Sequence, residues 1–232
     1  MEYVEGTLLY QLVIGSPSKC LHPLQAVDIS LQVARALEHA HNRGVVHRDI
    51  KPENILIATV AGQPDFVKVL DFGVARVIGQ PPLTRVGEEI IGTPEFIAPE
   101  MMSASGGLSP SVDLYALGIM LHDTVVGEPP WRGDIKEILQ GHMNVVPPRL
   151  SDRRRNAAIP RELDELTAQL LEKNPARRPT ATETVESLTR IRALMPSRSV
   201  QLLRGEQAGT AAGGGEPRGA GGGGCRVADS SR

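Results

Sequence analysis

The apolar positions of this chain follow helical spacing in some stretches and short β-rich runs in others. Between Leu24 and Asn42, the residues Ile29, Val33, Ala36, Leu37 and Ala40 recur at i, i+4, i+7, i+8 and i+11. That spacing gathers them on one face and predicts a helix packed on a core, with Gly44 placed to end it. His39 and His41 on the same helix have no Cys or carboxylate at metal-ligand spacing, so both read as packing or surface residues. Residues 111–126 hold Val112, Leu114, Tyr115, Leu117, Gly118, Ile119 and Leu121. Apolar positions nearly all round predict a buried central helix, which Gly127-Glu128-Pro129-Pro130-Trp131 stops. Further helices are predicted near 134–141 and 161–172. After a break from Pro175 to Pro179, a last helix runs from Thr180, its N-cap, to Leu194.

Two short runs follow a different rule. Ile55-Leu56-Ile57 and Phe66-Val67-Lys68-Val69-Leu70 are rich in β-formers, and Gly62-Gln63-Pro64-Asp65 punctuates the gap between them. A hairpin is the natural reading, and it sets Asn54 and Asp71 at neighbouring ends of adjacent strands. Residues 74–97 carry few helix signals but contain Gly79, Pro81, Pro82, Gly87 and Gly92. A loop of that length inside a compact domain is usually functional. From Pro196 onward glycine runs dominate, among them Gly221 to Gly224. Such a segment buries too little apolar area to offset its ordering entropy, and 196–232 reads as a disordered tail.

Composition narrows the function classes. The formal net charge of −2 gives no bulk basic field for nucleic acid. Two cysteines, Cys20 and Cys225, form neither a disulfide framework nor a zinc spacing, so a reducing cytoplasm is expected. No apolar run is long enough for a membrane span, and Met1 to Gly6 has no signal-peptide character. Aromatics make up 3% of the chain, so the core must be built of Leu, Val, Ile and Ala.

The chemistry concentrates in three motifs. His47-Arg48-Asp49-Ile50-Lys51-Pro52-Glu53-Asn54 lies between the first helix and the first β-run; Asp71-Phe72-Gly73 and Ala98-Pro99-Glu100 follow in that order. Each residue alone has an ordinary reading, Asp49 as a turn residue and Lys51 as a solvated charge. Together, in this order and spacing, they resemble the catalytic loop, metal-binding motif and activation-segment end of protein kinases. The Lys-Pro-Glu-Asn ending and Gly92-Thr93-Pro94 are similar to the serine/threonine branch, of the eukaryotic-like (Hanks-type) bacterial kind.

The resemblance covers residues 1 to about 195. It implies an α+β, mainly α fold: the large lobe of a protein kinase (7–195), with a small β-hairpin at the cleft and a hinge-like segment at 1–6. It further implies transfer of the ATP γ-phosphoryl group to a Ser or Thr hydroxyl of protein substrates, with Mg2+. Asp49 would orient the hydroxyl or accept its proton, and Lys51 would place positive charge beside the transferring group. Asn54 and Asp71 would hold magnesium through oxygen. Met1 at the gatekeeper position, the backbone of Glu2 and Val4, and Leu56 as a floor would enclose adenine. Thr93 would shape the acceptor site with Asp49 and Lys51. Asp113 would hold the catalytic loop's backbone, and Glu100 and Arg178 would form a buried ion pair. Arg48 and Arg76 would receive a phosphate on Thr84 of the long loop, where Val86 replaces a second threonine common in related bacterial kinases.

No Gly-x-Gly-x-x-Gly followed by Val-Ala-x-Lys occurs in the 232 residues. The tail glycines follow no strand and open no helix. A kinase clamps the ATP phosphates with those elements, and one preorganised electrostatic contact is worth ~3 kcal/mol, roughly a hundredfold in rate. The chain alone is therefore expected to be weak or inactive, and His47 and Phe72 are expected to lack the apolar residues normally stacked above them. Two explanations are open. One is a truncated record, since Met1 falls in an expected strand. The other is a genuine short protein that binds kinase substrates without catalysis or pairs with a partner supplying the upper lobe. A helical scaffold unrelated to kinases would require every ordered motif to be coincidence.

Overall fold

The computed structural model describes residues 5–60, 63–71, 76–77, 94–102 and 109–196. The expectations placed on Met1, Glu2, Val4, Phe72, Thr84 and Thr93, on most of the long loop and on residues 197–232 lie outside them. The elements all fall in the unit Met1–Met195.

A short strand β1 (Gly6–Leu8) leads into α1 (Leu9–Gly15) and then the long α2 (Pro23–His41). A two-residue strand β2 (Val45–Val46) precedes the loop at 47–54, and the hairpin β3 (Ile55–Val60) and β4 (Gln63–Val69) follows it. β5 (Arg76–Val77) pairs antiparallel with β2. After single 3-10 turns at Pro94–Phe96 and Pro99–Met102 come α3 (Ser111–Val126), α4 (Ile135–Asn144), the single turn α5 (Leu150–Arg153), α6 (Arg161–Leu170) and α7 (Ala181–Leu194). The mainly helical α+β architecture is that of the sequence reading.

The hydrophobic pattern explains most of this. Ile29, Val33 and Leu37 of α2 are buried against α3 and α7, while Ala36 sits at the edge of the face and His39 in solvent. Gly44 takes a φ of +72°, the left-handed geometry that ends the helix cheaply. α3 is buried on nearly every side, from Val112 to Val125. Gly118 lets α3 approach α6 so closely that an added Cβ would stand 2.8 Å from the Leu170 Cβ. Thr180 caps α7: its hydroxyl accepts the Glu183 N–H (3.2 Å), and Glu183 Oε2 accepts the Thr180 N–H (2.7 Å).

Two details differ from the sequence reading. The hairpin is tighter than the Gly62–Asp65 gap implies, because β4 already begins at Gln63, opposite Val60. A register shift between Ala58 and Val60, with Asp65 at φ +60°, absorbs Pro64 near the edge of the sheet. The sheet also has three strands, ordered β1-β3-β4, because Gly6–Leu8 pairs with Leu56–Ala58. The exposed edge of β4 is closed by Gln32 of α2, whose amide donates to Asp65 O (2.9 Å) and accepts from Val67 N (3.0 Å).

Candidate active site

The loop at 47–54 is held from below by one carboxylate. Asp113 sits in the first turn of α3 and is wholly buried. Its Oδ2 accepts the backbone N–H of His47 (2.8 Å), and its Oδ1 accepts that of Arg48 (2.7 Å). Arg48 takes a φ of +73°, a costly conformation for a residue with a Cβ. The bond from its own N–H helps to hold it there. Ile50, with no exposed surface, anchors the loop's far side in the core.

Three side chains are thereby brought together at the loop's outer face. Lys51 Nζ lies 2.9 Å from Asp49 Oδ1. Asn54 Nδ2 donates to Asp49 Oδ2 and to Asp49 O, both at 2.7 Å. The Asp49 carboxylate is thus fixed on both oxygens while keeping 30% of its side-chain surface exposed. Because the Asn54 amide nitrogen is committed to Asp49, its Oδ1 remains as the acceptor. The Asn54 carbonyl accepts the N–H of Leu70 (2.8 Å), which sets Asp71, exposed and at φ +58°, two residues past the end of β4. An amide oxygen and a carboxylate are hard donors of the kind that magnesium takes. Among the described residues, no cluster of three His, Cys, Asp or Glu side chains competes for a metal.

His47 departs from expectation. It is fully buried among the described residues, with no need of residues stacked above it. Its Nε2–H donates to Leu70 O (2.8 Å), and its Nδ1 accepts the Asp49 N–H (3.3 Å), so the ring links the loop to the end of β4. His41 packs in the interior, and it adds a polar contact: its Nε2 lies 2.8 Å from Asp113 Oδ2. The sequence does hold a signal for it. Ile29, Val33, Leu37 and His41 stand four residues apart, so His41 ends the buried file of α2.

Glu100 and Arg178 lie 78 residues apart and form a bidentate pair, Nη1–Oε1 2.6 Å and Nη2–Oε2 2.8 Å. Arg178 also donates to Glu172 O (2.7 Å) and Ser111 O (3.0 Å), and its guanidinium lies 4.6 Å from the Tyr115 ring centroid. Burial drives the Tyr115 phenol far above its ordinary range, so it stays protonated and bonded to His142 Nδ1 (2.8 Å). Beside them Lys173 donates to Gly141 O (2.9 Å) over the Trp131 ring; burial, and then the Arg178 charge, lower its pKa to about 8. Leu56 lies half-buried on β3 between Leu8 and Lys68. Arg76 lies on β5.

The sequence matches the protein kinase domain family over residues 1–188. It is 40% identical over 188 residues to the serine/threonine-protein kinase pkn3 of Myxococcus xanthus, covering 79% of this chain and 34% of that protein. It is 32% identical over 204 residues to the serine/threonine-protein kinase PknB of Mycobacterium leprae, covering 88% and 32%. Against the serine/threonine-protein kinase PrkC of Bacillus subtilis the identity is 34% over 189 residues, covering 81% and 28%. The chain thus spans about a third of the length of the curated relatives it matches.

Proposed function

The chain belongs to the protein kinase family, and on that premise we propose that it carries the phosphoryl-transfer lobe of a serine/threonine protein kinase. The observation that carries this reading is the Asp49 carboxylate, fixed by Lys51 and Asn54 on a loop tied to buried Asp113. Phosphoryl transfer requires positioning and charge stabilisation more than covalent chemistry from the protein. Asp49 orients the hydroxyl of a protein Ser or Thr toward the γ-phosphorus of ATP and takes its proton as the new O–P bond forms and ADP departs. Lys51, in contact with Asp49, places positive charge where negative charge develops on the transferring oxygens.

Asn54 and Asp71 hold Mg2+, which neutralises phosphate charge when bound. Leu56, with Met1 and the backbone of Glu2 and Val4, encloses adenine, and Thr93 shapes the acceptor site. Arg48 and Arg76 receive a phosphate on Thr84. Intact-mass analysis of active protein should find that phosphate, and its absence there would count against the switch. We place the protein in the cytoplasm, where Cys20, buried and unpaired, stays reduced. No helix among the described residues is long and apolar enough to cross a membrane.

The test is γ-phosphoryl transfer from Mg-ATP to a generic basic protein, by the chain alone and by the chain supplied with an ATP-clamping lobe. Weak or no transfer alone and clear transfer when supplied is the expected result. Asp71→Asn should reduce the latter by roughly a hundredfold or more. A folded, supplied protein that transfers no phosphate would favour a substrate-binding role.

A further inference from the structure

We propose that His142 is a positioning residue for the substrate peptide: from inside α4 it presents an N–H to the Pro94–Phe96 turn, and a bond to that turn's carbonyls closes when a Ser- or Thr-bearing peptide docks. The inference rests on the reading of Thr93 as part of the substrate site, and Pro94 follows that residue directly.

The two ring nitrogens of His142 are not equivalent. The residue has no exposed surface. Its Nδ1 lies 2.8 Å from Tyr115 Oη on α3. Tyr115 keeps its proton because burial drives its pKa far up, so its O–H donates and Nδ1 accepts. Burial, and then the Lys173 charge, keep the ring itself neutral, at a pKa of about 4. A neutral imidazole that accepts at Nδ1 carries its hydrogen on Nε2. That N–H is buried and has no hydrogen-bond partner among the described residues. Trp131 packs edge-on against the same ring, with centroids 4.7 Å apart, and its indole N–H is a second buried donor without a partner. Two orphaned donors at one junction are uncommon, because each is desolvated with no bond in return.

Carbonyls stand close by. The Pro94–Phe96 turn packs on both α3 and α4, and the carbonyls of Pro94 and Glu95 are placed to hold a hydrogen on the ring. With Nδ1 committed to Tyr115, Nε2 is the nitrogen left for them. The Pro94 carbonyl is loosely engaged within its own turn, 3.5 Å from the Ile97 nitrogen. None of the three turn residues is buried, so the turn is less constrained than the helices beneath it. A small shift toward α4 therefore satisfies the donor and fixes the segment that receives the peptide.

The experiment uses the full 232-residue chain with isotope-labelled histidine rings and a tryptophan-free basic peptide bearing one Thr. The ring spectrum, with His142 assigned through its contact with Trp131, should show Nε2–H in the free chain. Peptide should move that proton downfield as the bond forms, and change the emission of Trp131, the single tryptophan of the chain. His142→Asn sets its amide near the Nδ1 position and deletes the Nε2 donor, so it should weaken peptide binding about tenfold. His142→Gln places an N–H near the Nε2 position and should stay within about threefold of wild type. An Nδ1–H ring, a ring proton unmoved by peptide, or no peptide binding by wild type would overturn the proposal. So would equal binding by all three proteins, or equal weakening in both variants, the mark of packing alone. If neither variant folds, the wild-type ring signal with and without peptide decides. In the chain supplied with an ATP-clamping lobe, KM for the peptide should rise in His142→Asn with KM for ATP unchanged; a rise in both would contradict a role confined to the peptide. Should that protein bind peptide and transfer no phosphate, the binding result still decides the role of His142 and only the catalytic reading fails.

Discussion

At the scale of single residues, Arg178 makes the clearest stability prediction. Its guanidinium has no exposed side-chain surface and meets Glu100 and the carbonyls of Glu172 and Ser111. Removing it takes the bidentate partner from the Glu100 carboxylate, 10% exposed, at a cost of ~3–5 kcal/mol. Urea denaturation of Arg178→Ala should show a loss of that size, with the lobe unfolding before any selective change in chemistry. A loss below ~1 kcal/mol would mean that the pair is effectively solvated. The motif residues Asp49, Lys51 and Asn54 were readable because their spacing is short and local. His41 was not, although it ends a helical file, because its partner is 72 residues away on α3 and nothing local marks the pairing. Burial of His47 was missed for the same reason, since its partner Leu70 lies across the hairpin.

At the scale of elements, the close approaches are set by glycine. Gly118 brings α3 onto α6, and Gly141 brings α4 onto Trp131, where an added Cβ would stand 2.3 Å from the indole Cγ. Overpacking at either interface costs about 1–3 kcal/mol. Gly118→Ala and Gly141→Ala should each lower the urea midpoint accordingly. An unchanged or raised midpoint, from the better helix propensity of Ala, would show that these interfaces have room. The longer helices were legible from periodicity. α1 was not, because seven residues, Leu9–Gly15, with two β-branched among them, give too short a pattern. β1 escaped notice because its three residues gain their role only from pairing with β3. The hairpin was legible, but its turn was misplaced, since Pro64 and Asp65 read as punctuation and a bulge can accommodate both within a strand.

At the scale of the whole molecule, the sparse aromatics left the core to aliphatic residues, as the composition requires. The main cluster is Leu, Ile, Val, Ala and Met from α1, α2, α3, α6 and α7, and Tyr115 and Trp131 serve a smaller one with Ala98 and Leu171. Two of the fully buried histidines, His122 and His142, make the protein sensitive to acid. Burial chiefly lowers His122 to about 4 and His142 to about 4, the latter helped by Lys173. Between pH 6.5 and 4 the unfolded chain binds protons at these rings and the folded chain does not, so stability falls with pH through that window. Asp123 works the other way. Burial, then Glu53, raise it to about 6, so the folded state gains a proton as pH falls from about 6 to 4. Two groups lose stability and one regains it, and the sum is a net loss. Tm should therefore be lower at pH 5 than at pH 7, and His142→Gln should flatten that slope. A Tm independent of pH in this range would show that neither ring is shielded.

The proposed chemistry turns on one carboxylate, that of Asp49. The chain, supplied with an ATP-clamping lobe, is assayed for phosphoryl transfer to Ser and Thr with Mg-ATP, beside the same protein carrying Asp49→Asn. The Asn side chain keeps the size of Asp49 but cannot take the hydroxyl proton, so the rate should fall by roughly 10²–10⁴ with folding intact. Equal rates in the two proteins, or no transfer by a folded wild type, would contradict the assignment of Asp49 as the residue around which this lobe does its chemistry.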